Sequence, residues 1–107
     1  MDNIEARKIA ELAPQKLLEL RARPSPSIKD LAAVADEVRI PPGSERSAAN
    51  QCRVEVWLAI RKIVRTLEGN NPGTSNLTAF WRQAIDLTKL WLEAIDGYYR
   101  HGDGNAA

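Results

Sequence analysis

Residues 74–100 read TSNLTAFWRQAIDLTKLWLEAIDGYYR, and this stretch decides the fold class. Its charged side chains stand three or four residues apart, which places them on one narrow row of an α-helix. The row consists of Arg82, Asp86, Lys89, Glu93, Asp96 and Arg100. Thr74 or Ser75 is suited to begin such a helix, because a hydroxyl side chain can accept a hydrogen bond from the first turn.

The apolar side of this predicted helix is wide. Its apolar and small side chains span roughly 220° of a helical wheel, whereas an ordinary surface helix needs about 100° to face its core. Two explanations stay open: the rest of the chain packs around the helix, or part of the arc contacts a partner or a second copy. The candidates for such a contact are Phe80, Trp81, Leu90, Trp91 and Tyr98.

Loops rich in proline, glycine and short polar residues divide the rest of the chain at residues 23–27, 39–44 and 69–75. The segments between these loops have helical periodicity, so the chain is predicted to be all-α. Short connections favour an antiparallel four-helix bundle over residues 1–100. Residues 101–107 are predicted to form a flexible, disordered tail, because they have little to bury.

The first predicted helix carries Pro14 within its pattern. A proline inside a helix removes a hydrogen bond and crowds the preceding turn, which costs about 3 kcal/mol. The apolar face nevertheless keeps its phase across the proline, so a kinked helix is favoured over two separate ones. That face consists of Ala6, Ile9, Leu12, Ala13, Leu17 and Leu20.

The next two helices have recognisable ends and apolar stripes. Ser27 is predicted to cap the second helix, and a helix beginning near Ser44 is predicted to end at Glu68, with Gly69 as its C′ residue. The second helix should bury Leu31, Val34, Ala35 and Val38. The stripe of the third helix consists of Val56, Trp57, Ile60, Ile63, Val64 and Leu67.

A second row on the third helix mixes aliphatic and basic side chains. It contains Val54, Leu58, Arg61 and Arg65, with Lys62 close by. Such a surface suits contact with an acidic protein or with phosphates, although the small basic excess also fits an ordinary solvated face. The basic candidates for this contact are Arg53, Arg61, Lys62 and Arg65.

Arg53 raises a separate question, because a regular helix places it on the same side as Ile60 and Val64. A guanidinium buried there would need a carboxylate or several carbonyl partners. The preceding stretch is only weakly apolar. We therefore expect the start of the helix to project beyond the bundle, so that Arg53 reaches water.

Catalytic and metal-binding groups are scarce. The 107 residues include one histidine and one cysteine, too few for the usual zinc ligand set, and we expect no metal, cofactor or catalytic residue. His101 adjoins a glycine-rich tail that cannot position a base. Cys52 lies near Arg46 and Arg53, cations that would lower the pKa of a thiol, but no base assists it. We interpret it as a small buried residue.

Composition narrows the class of protein. The chain has 15 basic and 14 acidic side chains and is 44% hydrophobic, which indicates an ordinary globular domain rather than a general polyanion binder. Its longest apolar runs fall far short of the roughly 18 residues of a membrane span. We expect a cytoplasmic protein without an export signal or membrane association.

The leading functional hypothesis is therefore a non-enzymatic interaction protein, a small subunit or adaptor. It would contact a protein partner, or itself as a homo-oligomer, through the aromatic-rich last helix. The alternative is an accessory nucleic-acid-binding protein of a nucleoprotein complex, using the basic face of the third helix.

Overall fold

The computed structural model contains helices and no strand among the residues that it describes. Those residues are 3–24, 27–44, 46–69 and 74–104, with side chains described for 4–24, 27–44, 46–69 and 77–97. The helices are α1 (Asn3–Ala22), α2 (Ile28–Val38), α3 (Ala48–Glu68) and α4 (Thr74–Gly104). The predicted all-α four-helix bundle is confirmed.

The last helix extends further than its sequence pattern indicates. The predicted tail begins at His101, but the backbone of α4 remains helical to Gly104. Residues 105–107 lie outside the described part of the chain. The structure therefore differs from the predicted tail over residues 101–104 and does not describe its last three residues.

The four helices form a closed ring of neighbours. Helix α1 packs against α2 and α4, and α3 packs against the same two helices. Helix α4 thus lies between α1 and α3 and has apolar surface to bury on both flanks. At 11 residues α2 is about half as long as α1 or α3, so it covers only part of the bundle's length.

Helix α1 continues through Pro14 without a break. Its buried side chains are Ala6, Ala10, Ala13, Leu17 and Leu20. The prediction for Leu12 is wrong, since this side chain is 52% exposed. At 100° per residue Leu12 lies about 120° from the centre of the buried face, beyond the reach of α2 and α4.

Both serine-capped helix starts are formed by the same type of hydrogen bond. The Oγ of Ser27 accepts a bond from the backbone N–H of Asp30 at 3.2 Å, which confirms the predicted cap of α2. In α3 the cap is Ser47, whose Oγ accepts from the N–H of Asn50 at 3.0 Å. The predicted start near Ser44 is wrong, because its hydroxyl instead donates to the Pro41 carbonyl at 2.7 Å and closes a turn.

The buried faces of α2 and α3 largely follow the predicted stripes. Leu31, Val34, Ala35 and Val38 are all buried. In α3 the buried apolar residues are Val56, Ala59, Ile60, Ile63 and Val64, while Trp57 and Leu67 are half-buried. Gly69 caps the end of α3 with a φ of −85°, so this end does not use the left-handed conformation typical of a C′ glycine.

Candidate partner-binding groove

The aromatic arc of α4 does not form one surface. Trp81 is 4% exposed and Trp91 is 1% exposed, which places both in the core rather than at a partner interface. Phe80 is half-buried and Leu90 is 50% exposed. Neighbours in a helix point about 100° apart, so each buried tryptophan has a sequence neighbour outside the core. The side chain of Tyr98 lies outside the described residues.

The two helices that flank α4 account for the width of its arc. At one edge the guanidinium of Arg7 on α1 donates a hydrogen bond to the carboxylate of Asp96. This pairing also raises the pKa of Arg7. At the other edge the Nζ of Lys62 on α3 lies 5.0 Å from the centroid of the Phe80 ring. Because α4 packs against both neighbours, most of the arc within residues 77–97 is covered within one copy of the chain.

Arg53 is buried, so the expectation that it reaches water is wrong. Its Nε donates to the carbonyl of Val38 at 2.6 Å, and its Nη2 makes longer contacts to the carbonyls of Glu37 at 3.5 Å and Arg39 at 3.4 Å. The guanidinium carbon lies 5.3 Å from the centroid of the Trp91 ring. The carbonyl-rich, partially negative end of α2 thus holds this cation, which removes Arg53 from the phosphate-binding candidates.

The other three basic candidates meet in one cleft. Arg61, Lys62 and Arg65 line a depression of about 780 Å³ together with Asp36, Arg39, Trp57 and Leu58. Two neighbouring clefts of about 460 and 590 Å³ continue from it towards the start of α3. Adjacent clefts share lining residues, among them Trp57 and Val54. Taken together, these three adjacent clefts make up a depression along α3.

We call this depression the α3 groove. Its α3 wall consists of Asn50, Gln51, Val54, Trp57, Leu58, Arg61, Lys62 and Arg65. Its opposite wall consists of Asp36 on α2 and residues 39–44 of the following loop. Apart from Lys62, whose Nζ lies over the Phe80 ring of α4, the α3 residues of the groove lie on the side of the helix next to its buried face.

The centre of the α3 groove is apolar and its ends are basic. Ile40, Val54 and Trp57 are half-buried there, and Leu58 is 53% exposed. Arg46 lines one end, whereas Arg61, Lys62 and Arg65 line the other together with Arg39. Asp36 is the one carboxylate among the described lining residues. An apolar centre rimmed by charge is the usual layout of a protein-binding surface.

The α3 wall of this groove, but not its loop wall, can be predicted from the spacing of residues in the sequence. The row of Val54, Leu58, Arg61 and Arg65 was visible from its spacing, but Trp57 was assigned to the core alone. Its position three residues after Val54 and four before Arg61 places it on the same row. The loop wall has no such signal, because residues 39–44 reach α3 only through the tertiary fold.

Cys52 is half-buried rather than fully buried as interpreted from the sequence. Burial raises its pKa, and the charge of Glu55 raises it further. The guanidinium of Arg53, one of the two cations near Cys52 in the sequence, is turned towards the end of α2. Burial and the charge of Glu55 both disfavour the thiolate form.

Neither a metal centre nor a membrane span is seen in the described ranges. The described side chains contain no cluster of three histidine, cysteine, aspartate or glutamate residues placed to hold a metal ion. None of the described helical segments combines the length and the apolar character needed to cross a bilayer. Comparisons with protein-family models, with curated proteins and with solved structures gave no significant match.

Proposed function

We propose that this protein is a non-enzymatic helical interaction protein that binds an acidic segment of a partner protein in the α3 groove. The observation that carries the proposal is the arrangement of an exposed leucine and a half-buried tryptophan between basic side chains. Apolar contact at Trp57 and Leu58 would supply affinity, since aromatic anchors dominate many interfaces. Arg61 and Arg65 would select acidic partners and accelerate encounter.

The α3 groove is not the surface that the sequence favours, which is the aromatic side of α4. The aromatic side of α4 is not proposed as the contact, because Trp81 and Trp91 are covered within a single copy. A second copy docked groove to groove would bring like charges together, which costs free energy. An acidic partner avoids this repulsion.

Nucleic-acid binding is the second candidate function, and a specific observation favours it. Arg61, Lys62 and Arg65 lie in one cleft beside the half-buried ring of Trp57, so phosphates and a stacked base would find partners there. Leu58 favours the protein partner instead. A leucine that is 53% exposed among these cations contributes to apolar contact but not to phosphate recognition.

The proposal is tested with matched leucine variants, because Leu58 is 53% exposed in the groove and Leu90 is 50% exposed on α4. Fluorescence anisotropy would follow a labelled acidic peptide that carries leucines, alongside a labelled single-stranded oligonucleotide. Leu58→Asp should weaken peptide binding by at least about tenfold, because it places a carboxylate at the apolar centre. Leu90→Asp should bind like the wild type.

Two results would contradict the protein-binding proposal. One is an equal effect of the two leucine variants on peptide affinity, after circular dichroism has shown that both fold. The other is tighter binding of the oligonucleotide with a steep loss of affinity as salt rises, which would support phosphate contacts instead.

A further inference from the structure

We infer that the segment bound in the α3 groove is an amphipathic α-helix of about four turns, with its acidic residues at the end that meets Arg61 and Arg65. The inference rests on the proposed function and specifies the conformation and charge pattern of the ligand. Three features of the groove carry it: its length, the spacing of its wall and the distribution of its charge.

The length of the groove matches a short helix. From Asn50 to Arg65 the α3 wall spans fifteen residue steps, which corresponds to about 22 Å at 1.5 Å per residue. A helix of about 16 residues covers this distance. An extended peptide would cover it with about seven residues and place only alternate side chains in the groove.

The wall has the spacing of a helix-packing seam. Asn50, Val54, Trp57, Arg61 and Arg65 follow one another at intervals of four, three, four and four residues. A second helix lying beside such a row can insert its own side chains between these positions, as in coiled-coil and helix-in-groove recognition.

An extended ligand lacks the support that it would need. Strand addition requires an open sheet edge, and the described part of the chain has no strand. The α3 wall is a regular helix whose interior N–H and C=O groups bond within the helix. A bound helix satisfies its own backbone and needs only side-chain contacts from the groove.

The charge pattern assigns the orientation of the ligand's acidic part. The side chains of Ile40, Val54 and Trp57 lie between Arg46, the single cation at one end of the groove, and the pair Arg61 and Arg65 at the other. Leucines of the ligand would therefore cover the first three residues, and its carboxylates would meet the two arginines.

The inference is tested with two labelled synthetic peptides of about 16 residues and identical leucine, glutamate and alanine content. In the first, the leucines repeat every three or four residues and the glutamates occupy one half. In the second, the leucines alternate with other residues, so no helical apolar face exists. The first peptide should bind at least about tenfold more tightly and gain helical circular dichroism on binding.

Charge reversal supplies a rescue test. In the double variant Arg61→Glu with Arg65→Glu, the affinity for the glutamate peptide should fall by at least about tenfold. It should instead bind a peptide in which lysines replace the glutamates. The Leu90→Asp variant serves as the control that leaves both affinities unchanged.

The outcomes separate the inference from the proposed function. Equal affinity for the two peptides, with both affinities reduced by Leu58→Asp, would contradict the inference that the ligand is helical. The proposal that the groove binds an acidic segment would still stand. Failure of both peptides to bind would overturn the proposed function as well. If the protein self-associates and the helical peptide does not displace the second copy, the ligand would be a second copy of the chain rather than an acidic partner.

Discussion

Replacing Arg53 by methionine should destabilise the bundle by about 2–4 kcal/mol, because it removes the group that joins three helices. The side chain extends from α3, donates to the last carbonyls of α2 and lies over Trp91 of α4. Methionine keeps much of the apolar volume while removing the guanidinium. The loss of stability therefore reports the polar and cation–π contacts rather than a cavity.

The magnitude follows from these contacts. The 2.6 Å bond to the carbonyl of Val38 is charge-assisted, and such bonds contribute about 1.5–3 kcal/mol. The cation over the buried ring of Trp91 adds about 1–2 kcal/mol. The contacts to Glu37 and Arg39 are near the distance limit and contribute little. Apolar packing of the new methionine offsets part of the sum.

Urea unfolding followed by circular dichroism measures the effect. Arg82→Met, at an exposed position of α4, is the matched control and should change the free energy of unfolding by less than about 0.5 kcal/mol. Arg53→Lys should fall between the two, since an ammonium keeps the charge but lacks the planar fork. An Arg53→Met protein as stable as the Arg82→Met control would refute the buried role of Arg53.

Four further predictions concern burial, capping and the titration of the thiol. Leu17→Ala should lower the free energy of unfolding by about 2–5 kcal/mol, whereas Leu90→Ala should cost less than about 1 kcal/mol in the same urea titration, because only Leu17 is fully buried. Ser47→Ala should cost about 0.5–2 kcal/mol by removing the α3 cap, as thermal or urea unfolding would show. Iodoacetamide should alkylate Cys52 more slowly at pH 7.5 in the folded than in the urea-unfolded protein, since burial raises the thiol pKa. A raised thiol pKa also means that the folded protein resists losing this proton. The free energy of unfolding should therefore fall as pH rises above the ordinary pKa of a thiol, and Cys52→Ser should remove this part of the fall.

The helices and much of the core follow from local pattern. The buried positions of α2 are identified by a three- and four-residue spacing that any reader can count from Leu31 to Val38. Caps are harder to place. Ser44 and Ser47 have the same side chain, and only the turn at Pro41 shows which of them is already engaged.

The main errors concern interactions between helices. The burial of Arg53 depends on the end of α2 arriving within hydrogen-bonding distance, although its spacing alone placed it in the apolar stripe. The covering of Trp91 depends on α4 having neighbours on both flanks. Only the α3 wall of the groove could be predicted from the sequence, because the other wall comes from residues 39–44, which are distant from it along the chain.

We propose the α3 groove, rather than the aromatic side of α4, as the contact surface. Nuclear magnetic resonance of the ¹⁵N-labelled protein, titrated with the acidic helical peptide, tests it most directly. Chemical-shift changes should concentrate at Ile40, Val54, Leu58 and the indole of Trp57, with little change at Leu90. Changes centred on Leu90 and its neighbours in α4, with the groove signals unmoved, would contradict it.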